Sequence, residues 1–332
     1  MDINNRKALH SRAKQQIEKS SDCPKIALIF AGVLAGASLV SFLLNLLLGW
    51  QISKFTGLSG LGMRSVLGTL QTMLPLIFNF LLLAMGLGFT GAMLRVSRGQ
   101  YTSPKSMKIG CDRFWVLLRA TLLQMLLYYM VFILSSNLAA LFFLLTPFSN
   151  PLVATATVIK EQFGGDVVAA MENSAMFLQL TKDITPLFII AAIVFLAAAI
   201  PIFYHLRLVD YILIDKPGQG AFQSMRESKK LMRGNCLKLF KVDLSMWWYY
   251  VVTVLSMILC YGDVILSLLG VEFSMPIELV SILFLAVYLI ALFVITVFLE
   301  PHVQVVYGLC YDALKPEEPS GGGVVLGNIF NM

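Results

Sequence analysis

Charged residues are scarce in this chain. Asp, Glu, Lys and Arg make up 13% of its 332 residues, whereas 58% are hydrophobic and the mean hydropathy is +0.79. A protein folded in water needs a largely polar surface, and this composition could not supply one. We therefore expect a membrane protein. Membrane topology also gives the net charge of +6 a simpler origin than nucleic-acid binding, so no nucleic-acid partner is expected.

Sequence motifs of catalysis are absent as well. There is no P-loop lysine motif, no G-x-S-x-G turn, no H-E-x-x-H motif and no cluster of carboxylates inside an apolar run. Cys23, Cys111 and Cys236 precede apolar runs, and thiolates are good zinc or copper ligands. No C-x-x-C pair exists, however, and a small apolar residue also suits the start of a helix. We expect no enzyme activity, no cofactor and no metal.

Long apolar runs dominate what the chain does contain. Crossing a hydrocarbon core about 30 Å thick takes about 20 helical residues. Six runs reach that length, and they predict an all-α, polytopic helical membrane protein with about six transmembrane helices: 26–49, 69–94, 120–146, 187–208, 244–268 and 277–299. The last helix is expected to continue past Glu300 to Leu314, and residues 315–332 are expected to form a disordered cytoplasmic tail.

The positions of Lys and Arg indicate how the runs are oriented. With the N-terminus in the cytoplasm, only Lys54, Arg64, Lys160 and Lys182 of the 25 basic residues fall outside the cell. Cytoplasmic loops of membrane proteins carry an excess of Lys and Arg. We therefore expect a multi-pass protein with both termini in the cytoplasm.

Residues 221–248 join a basic amphipathic pattern to the start of the fifth run. Apolar and cationic residues interleave from Met225 to Phe240, which is typical of a helix on an anionic lipid surface. Gly234 and Asn235 are expected to end that helix, and Trp247 and Trp248 to lie at headgroup depth. The candidate lipid-surface residues are Arg226, Lys229, Lys230, Arg233, Lys238 and Lys241. A similar interfacial helix is expected over 5–19.

A second candidate site is a polar cluster at the inner ends of the fourth and sixth runs. Its members are His205, Arg207, Asp210, Glu300 and His302. Ionisable groups at such depths reach water, pair with one another or line a pathway. We expect Glu300 to pair with Arg207.

Small and polar residues inside the runs are expected to serve helix packing. Gly32 and Gly36 are spaced as in closely packed helix pairs, and Gly86, Gly88 and Gly91 predict a kink or a tight helix crossing. The amides of the spans are expected to hydrogen-bond between helices, among them Asn45, Asn79, Gln124 and Asn137.

The largest outer segment, 147–186, contains one helical pattern. Apolar residues at helical spacing over 166–181 predict a helix that rests on the outer leaflet or caps the bundle. The alternative is an extracellular partner or substrate site.

The chain also has a threefold pattern. Cys23, Cys111 and Cys236 each follow a basic segment and a turn-prone pair and precede an odd-numbered run. This predicts a single membrane domain, 1–314, of three tandem two-span units: 1–94, 95–208 and 209–314.

Three segments resemble the bacterial integral membrane family of domain of unknown function 975: KALHSRAKQQIEKSSDCPKIAL, MRESKKLMRGNCLKLFKVDLSMWW and PHVQVVYGLCYDAL. The likeness extends over nearly the whole chain. It implies several spans, a bacterial plasma membrane and no established activity. We therefore expect a non-enzymatic protein that assists envelope assembly, a membrane complex or transport. Its partners would be anionic headgroups on the cytoplasmic side and another membrane protein. The alternative is a small-molecule or ion transporter that uses the polar cluster.

Overall fold

The computed structural model describes residues 3, 5–55, 61–164, 174–260, 262 and 277–315. Most of these residues are helical, and none of them lies in a strand. The α-helices are α1 (Arg6–Lys19), α2 (Cys23–Lys54), α3 (Leu61–Ser97), α4 (Ile109–Asp112), α5 (Phe114–Leu145), α6 (Asn150–Phe163), α7 (Ser174–Leu206), α8 (Val209–Asp215), α9 (Ala221–Met232), α10 (Cys236–Ser245), α11 (Trp247–Cys260), α12 (Ile277–Val294) and α13 (Glu300–Leu314). Short 3₁₀ turns, Pro104–Lys108 and Pro147–Ser149, precede α4 and α6.

Five described helical stretches are long and apolar enough to cross a membrane: Cys23–Ile52, Gly62–Ser97, Phe114–Leu145, Leu178–Asp215 and Leu279–Leu314. A sixth results if α10 and α11 count as one span. Many large apolar side chains of these stretches are exposed, as on helices that face lipid. The protein is an all-α polytopic membrane protein, which confirms the predicted fold class.

The fifth predicted run is not one straight helix. The chain bends by 70° between α10 and α11, so the apolar run that starts at Leu244 changes direction after Ser245. The bend itself was not predicted, because hydropathy alone does not distinguish the last turn of α10 from the first turn of α11. Residues 261 and 263–276 lie outside the described residues, as does the predicted tail from 316 on.

The sixth run continues to Leu314, as predicted. A π-helical turn, Ile295–Leu299, joins α12 to α13. Pro301 lies in the first turn of α13 and has no backbone N–H to donate to the carbonyl of Val297. The π turn is a local adjustment of the hydrogen-bond ladder at this proline.

The chain divides into two compact units by its internal contacts. Unit one comprises Met1–Leu118 and Leu208–Met332, and unit two comprises Arg119–Arg207. In unit one, α2 packs on α3, and α13 packs on α1 and α3. Tyr307, Tyr311 and Phe89 are fully buried there. The three tandem units stay a prediction.

In unit two, α6 packs against α7. The hydroxyl of Thr155 donates to the buried carboxylate of Asp183 at 2.5 Å. The predicted helix over 166–181 is corrected in part. Its described residues, from Ser174 on, are the first turns of α7, which continues through Pro186 into the span. Residues 165–173 lie outside the described residues.

A glycine contact confirms the tight crossing predicted near Gly88. A Cβ atom on Gly110 would lie 1.8 Å from the carbonyl oxygen of Ala84, and one on Gly88 would lie 2.1 Å from that of Met107. Only glycine allows such close approach of two backbones.

Two other packing predictions were wrong. A Cβ atom on Gly32 or Gly36 would meet no other described atom within 4 Å, so these glycines are not at a close contact within the described residues. Asn45 and Asn137 donate to the carbonyls of Ser41 and Ile133 in their own helices rather than to a neighbouring helix. The carbonyl one turn back is the nearest acceptor for a short amide side chain.

Candidate functional site

Helix α9 presents a cationic face. Its buried residues, Ala221, Ser224, Ser228 and Met232, recur one turn apart and form the opposite face. The Ser228 hydroxyl accepts a hydrogen bond from the backbone N–H of Leu208 at 3.3 Å, which ties α9 to the start of α8. The exposed face carries Arg226, Lys229 and Lys230 around Phe222, whose side chain is 73% exposed.

The connection before α9 is fixed by an ion pair. Glu227 accepts hydrogen bonds from the ammonium group of Lys216 and from the amide of Gln219. Burial raises the pKa of Glu227, but the two hydrogen bonds outweigh this and lower its pKa below the usual value. Glu227 is therefore a charged anchor for the 216–220 turn.

Helix α9 ends at Met232, and α10 begins at Cys236 after a short turn. Gly234 has φ +81°, a left-handed conformation that suits glycine. The Asn235 amide donates to the carbonyl of Leu231 at 2.9 Å. The predicted stop at Gly234 and Asn235 is confirmed.

Helix α10 has three faces. Leu239, Val242 and Asp243 are buried in the protein. Leu237, Phe240 and Leu244 form an apolar stripe away from them and are 74%, 46% and 56% exposed. The exposed Lys238 and Lys241 flank this stripe.

This pattern suits a helix in a lipid headgroup layer. An exposed apolar stripe is unfavourable in water. At the boundary between headgroups and acyl chains, the stripe can pack against acyl chains while the lysines extend towards the aqueous side. All six candidate lipid-surface residues, Arg226, Lys229, Lys230, Arg233, Lys238 and Lys241, are exposed. Their contact with lipid stays a prediction.

Helix α13 carries a polar face inside unit one. Glu300, Gln304, Tyr307 and Tyr311 lie on it at helical spacing. Glu300 accepts hydrogen bonds from the hydroxyl of Tyr249 and, at 2.8 Å, from the amide of Gln304. Each of the two tyrosines on this face donates to a carboxylate of another helix. Tyr307 donates to Asp243, and Tyr311 donates to Asp215 at 3.0 Å.

Arg98 joins three segments at the end of this face. Its Nε atom donates to both oxygens of Asp312 at 3.1 and 3.0 Å, and its Nη1 atom donates to Asp215 at 2.7 Å. Lys315 also donates to Asp215 at 2.9 Å. Burial lowers the pKa of Arg98, but the hydrogen bonds to the two carboxylates outweigh it and raise that pKa. The two carboxylates therefore hold the Arg98 guanidinium in its charged form.

The other side of α13 holds a pair of histidines. The His10 Nδ1 atom lies 2.9 Å from the His302 Nε2 atom, and the His10 Nε2 atom lies 2.8 Å from the Ser245 hydroxyl. The two rings are stacked, with centroids 5.2 Å apart. Ser245 donates its proton to the carbonyl of Val242, so it accepts from His10. His302 then donates to His10. Burial lowers the pKa of His10.

Two open cavities flank the histidine pair. One has a volume of about 570 Å³ and is lined by Asn5, Arg6, Lys7, His10 and Ser245. The other has a volume of about 380 Å³ and is lined by Lys14, Ile17, Glu18, Trp248, Phe298 and His302. Within the described residues, no three His, Cys, Asp or Glu side chains are grouped to hold a metal ion.

The family model described as Protein of unknown function (DUF975) matches residues 1–318. The chain belongs to the DUF975 family. This match confirms the resemblance drawn from the three sequence segments. No curated protein and no solved structure matches the chain. Since membership in DUF975 carries no activity, the function of this DUF975 protein has to be argued from its geometry.

The predicted polar cluster divides between the two units of the DUF975 protein. Glu300 and His302 both lie on α13, but on opposite faces, where they meet Tyr249 and His10. Asp210 is exposed in the first turn of α8. In unit two, the His205 ring bonds to the carbonyl of Pro201, and the Arg207 guanidinium lies 4.8 Å from the centroid of the Phe203 ring. The pairing of Glu300 with Arg207 stays a prediction.

Several residues of these networks were missed from the sequence of the DUF975 protein. The spacing 300, 304, 307 and 311 is a usable signal for one polar helical face. Asp312 also lies in the closing motif of the family resemblance. His10 and Ser245 gave no signal, because the residues that they contact are far away in the chain.

Proposed function

We propose that this DUF975 protein is a non-enzymatic, multi-pass protein of the bacterial plasma membrane that holds its cytoplasmic face on anionic lipid through α9 and α10. In that position it assists envelope assembly, a membrane complex or transport. The observation that carries this proposal is the exposed apolar stripe of α10, Leu237, Phe240 and Leu244, with cationic side chains beside it.

Charge supports the proposal. Six exposed cationic residues lie between Arg226 and Lys241. A Lys or Arg near an anionic leaflet contributes about 1 kcal/mol of attraction. The attraction adds to the burial of the apolar stripe, and the two together favour one orientation of α10 at the surface.

The polar networks of unit one fit a fixed support better than a moving relay. Glu300, Asp243 and Asp215 each accept a hydrogen bond from a tyrosine hydroxyl. Asp215 and Asp312 also form ion pairs with Arg98. These partners hold α8, α10, α11 and α13 in one arrangement.

The test replaces two lysines of α9 in the full-length protein. An environment-sensitive dye on Leu237→Cys, in a background without the native cysteines, reports insertion of α10 in proteoliposomes with increasing fractions of anionic lipid. Lys229→Gln with Lys230→Gln should shift the half-insertion point to a higher anionic fraction, by an amount corresponding to about 2 kcal/mol for two charges.

The matched control is Lys105→Gln with Lys108→Gln, which removes two exposed lysines from the 3₁₀ turn before α4. It should leave the half-insertion point unchanged. Equal shifts in both variants, or no shift at low salt in the α9 variant, would contradict the proposal.

A second candidate function is a small-molecule or ion transporter. One observation favours it: the π turn Ile295–Leu299 directly precedes Glu300, and π turns often occur at functional sites. Flux of the transported small molecule or ion into proteoliposomes should then fall at least tenfold in Glu300→Gln. It should fall much less in Tyr249→Phe, which keeps the carboxylate of Glu300. Equal flux in Glu300→Gln and in the unmodified protein would remove this candidate.

A further inference from the structure

The smaller cavity beside the histidine pair combines apolar and charged walls. Helix α1 contributes Lys14, Ile17 and Glu18, the start of α11 contributes Trp248, and the π turn contributes Phe298. Phe298 is 68% exposed and Trp248 is 37% exposed. Phe298 lies within the apolar stretch Leu279–Leu314, and Trp248 lies in the first turn of the apolar helix α11, so the apolar wall of the cavity opens towards lipid.

The charged wall carries one cation and one anion. The Lys14 ammonium group lies 3.9 Å from the Glu18 carboxylate, with side chains 75% and 65% exposed. An exposed ion pair at this distance is weak, so both groups are available to a ligand. His302 completes the wall. Its Nε2 atom bonds to His10, and its Nδ1 atom makes no hydrogen bond to another described residue.

We propose that this cavity binds one phospholipid molecule with a zwitterionic headgroup that ends in a primary ammonium. Lys14 contacts the phosphate, Glu18 accepts hydrogen bonds from the ammonium, and the glycerol and first acyl carbons lie on Trp248 and Phe298. The site differs from α9 and α10 in the lipid that it selects. An exposed cationic face favours any anionic headgroup, whereas a cation and an anion side by side match a headgroup with both charges.

The ammonium group distinguishes two common zwitterionic headgroups. Ethanolamine carries N–H groups that donate charge-assisted hydrogen bonds to a carboxylate, whereas the methylated choline has none. Glu18 therefore selects for ethanolamine. The phosphate is common to both headgroups, so Lys14 contributes equally to the binding of each.

The experiment counts lipids bound to the full-length protein by native mass spectrometry after transfer from detergent. Phosphatidylethanolamine, phosphatidylcholine and phosphatidylglycerol with identical acyl chains are added separately. We expect phosphatidylethanolamine to bind about three- to fivefold more tightly than phosphatidylcholine, the upper part of the range for one exposed charge interaction. Glu18→Gln should abolish this preference. Lys14→Gln should weaken the binding of both lipids by a similar factor.

The matched control is Lys7→Gln, which removes an exposed positive charge from the same helix but outside this cavity. It should leave both affinities and their ratio unchanged. Equal binding of phosphatidylethanolamine and phosphatidylcholine to the unmodified protein would overturn the proposal. So would a preference that survives Glu18→Gln, or tighter binding of phosphatidylglycerol that depends on Lys14. Lys229→Gln with Lys230→Gln should not change the ratio, so a failure here is distinct from a failure of the proposed function.

Discussion

At the scale of single residues, Arg98 links α8 and α13 through two carboxylates. Its guanidinium binds Asp312 and Asp215, whose side chains are 31% and 11% exposed. Replacing it with methionine would leave two carboxylates beside each other with only Lys315 as a cationic partner in the network. A pair of this partial burial lies between an exposed and a buried one, so Arg98→Met should lower the free energy of unfolding by roughly 2–4 kcal/mol.

Thermal unfolding in detergent measures this loss. Arg98→Met combined with Asp312→Asn should recover part of it, because one of the stranded charges is removed. Lys105→Gln, which changes an exposed charge, should leave the unfolding temperature unchanged. An equal loss in Lys105→Gln and Arg98→Met would show that the network contributes nothing specific.

Glycine provides the second prediction at this scale. Gly110→Ala places a methyl group 1.8 Å from a backbone oxygen, so α3 and α4 have to separate. The expected destabilisation is about 2 kcal/mol or more. Gly32→Ala is the control, since its methyl group meets no other described atom within 4 Å, and alanine is the better helix former. Unfolding of both variants at the same temperature would contradict the close approach of Gly110 to the backbone of α3.

Residue pairs were the hardest feature to predict from the sequence. His10 and His302 are 292 positions apart, and His10 and Ser245 are 235 apart. No periodic pattern relates such residues, and a lone polar residue near a helix end has many possible partners. Short amide side chains were mispredicted for a related reason. The sequence does not reveal whether a backbone carbonyl of the same helix is available to Asn45 or Asn137.

At the scale of elements, most helices and one junction between helices were predictable, but the bend between α10 and α11 was not. Periodic apolar residues predicted α1, and the pair Gly234 and Asn235 predicted the end of α9. The bend after Ser245 gave no signal, because the outward stripe of α10 is as apolar as the span that follows. A stretch that lies along the membrane and one that crosses it have the same composition on the face that meets lipid.

The docking of α1 should depend on pH through His10. Burial lowers the pKa of His10, so the undocked helix binds a proton more readily than the docked one. Docking is therefore fully favourable above the ordinary histidine pKa of about 6.5 and weakens as the pH falls through the lower value of the docked state. Geometry points the same way. The pair of His10 and His302 can hold one added proton. A second added proton would place an N–H group of each ring face to face across their contact. The other charged groups that line the cavities beside the pair are Lys14 and Glu18 near His302, and Arg6 and Lys7 near His10.

Spin labels on Ser11→Cys and Gln100→Cys, in a background without the native cysteines, measure this docking. The distance distribution should broaden as the pH is lowered from about 7.5 to about 5. The double variant His10→Gln and His302→Gln should lose this pH dependence. A distribution that broadens equally in the double variant would assign the effect to another group.

At the scale of the whole molecule, the all-α polytopic class was predictable because length and hydropathy decide it, and five or six candidate spans are present in the described residues. The division into two compact units was not predictable. In a water-soluble protein, buried residues differ in composition from exposed ones. In the spans of a membrane protein, the buried residues and those that face lipid are both apolar. The most apolar window of Leu178–Asp215 is only 6% buried in the protein, so its composition is set by lipid and says little about which helices it contacts.

Orientation is the last prediction, and it follows from charge alone. If the excess of Lys and Arg marks the cytoplasm, then α9 faces the cell interior and α6 faces outward. In a background without the native cysteines, a membrane-impermeant thiol reagent applied to intact cells should modify Lys160→Cys on α6 and leave Lys230→Cys on α9 unmodified. Both positions are exposed, so accessibility to water does not bias the comparison. Permeabilised cells should show modification of both. Labelling of Lys230→Cys in intact cells would show that the orientation is the opposite one. Helix α9 would then not face the anionic cytoplasmic leaflet, and the proposed function would be contradicted.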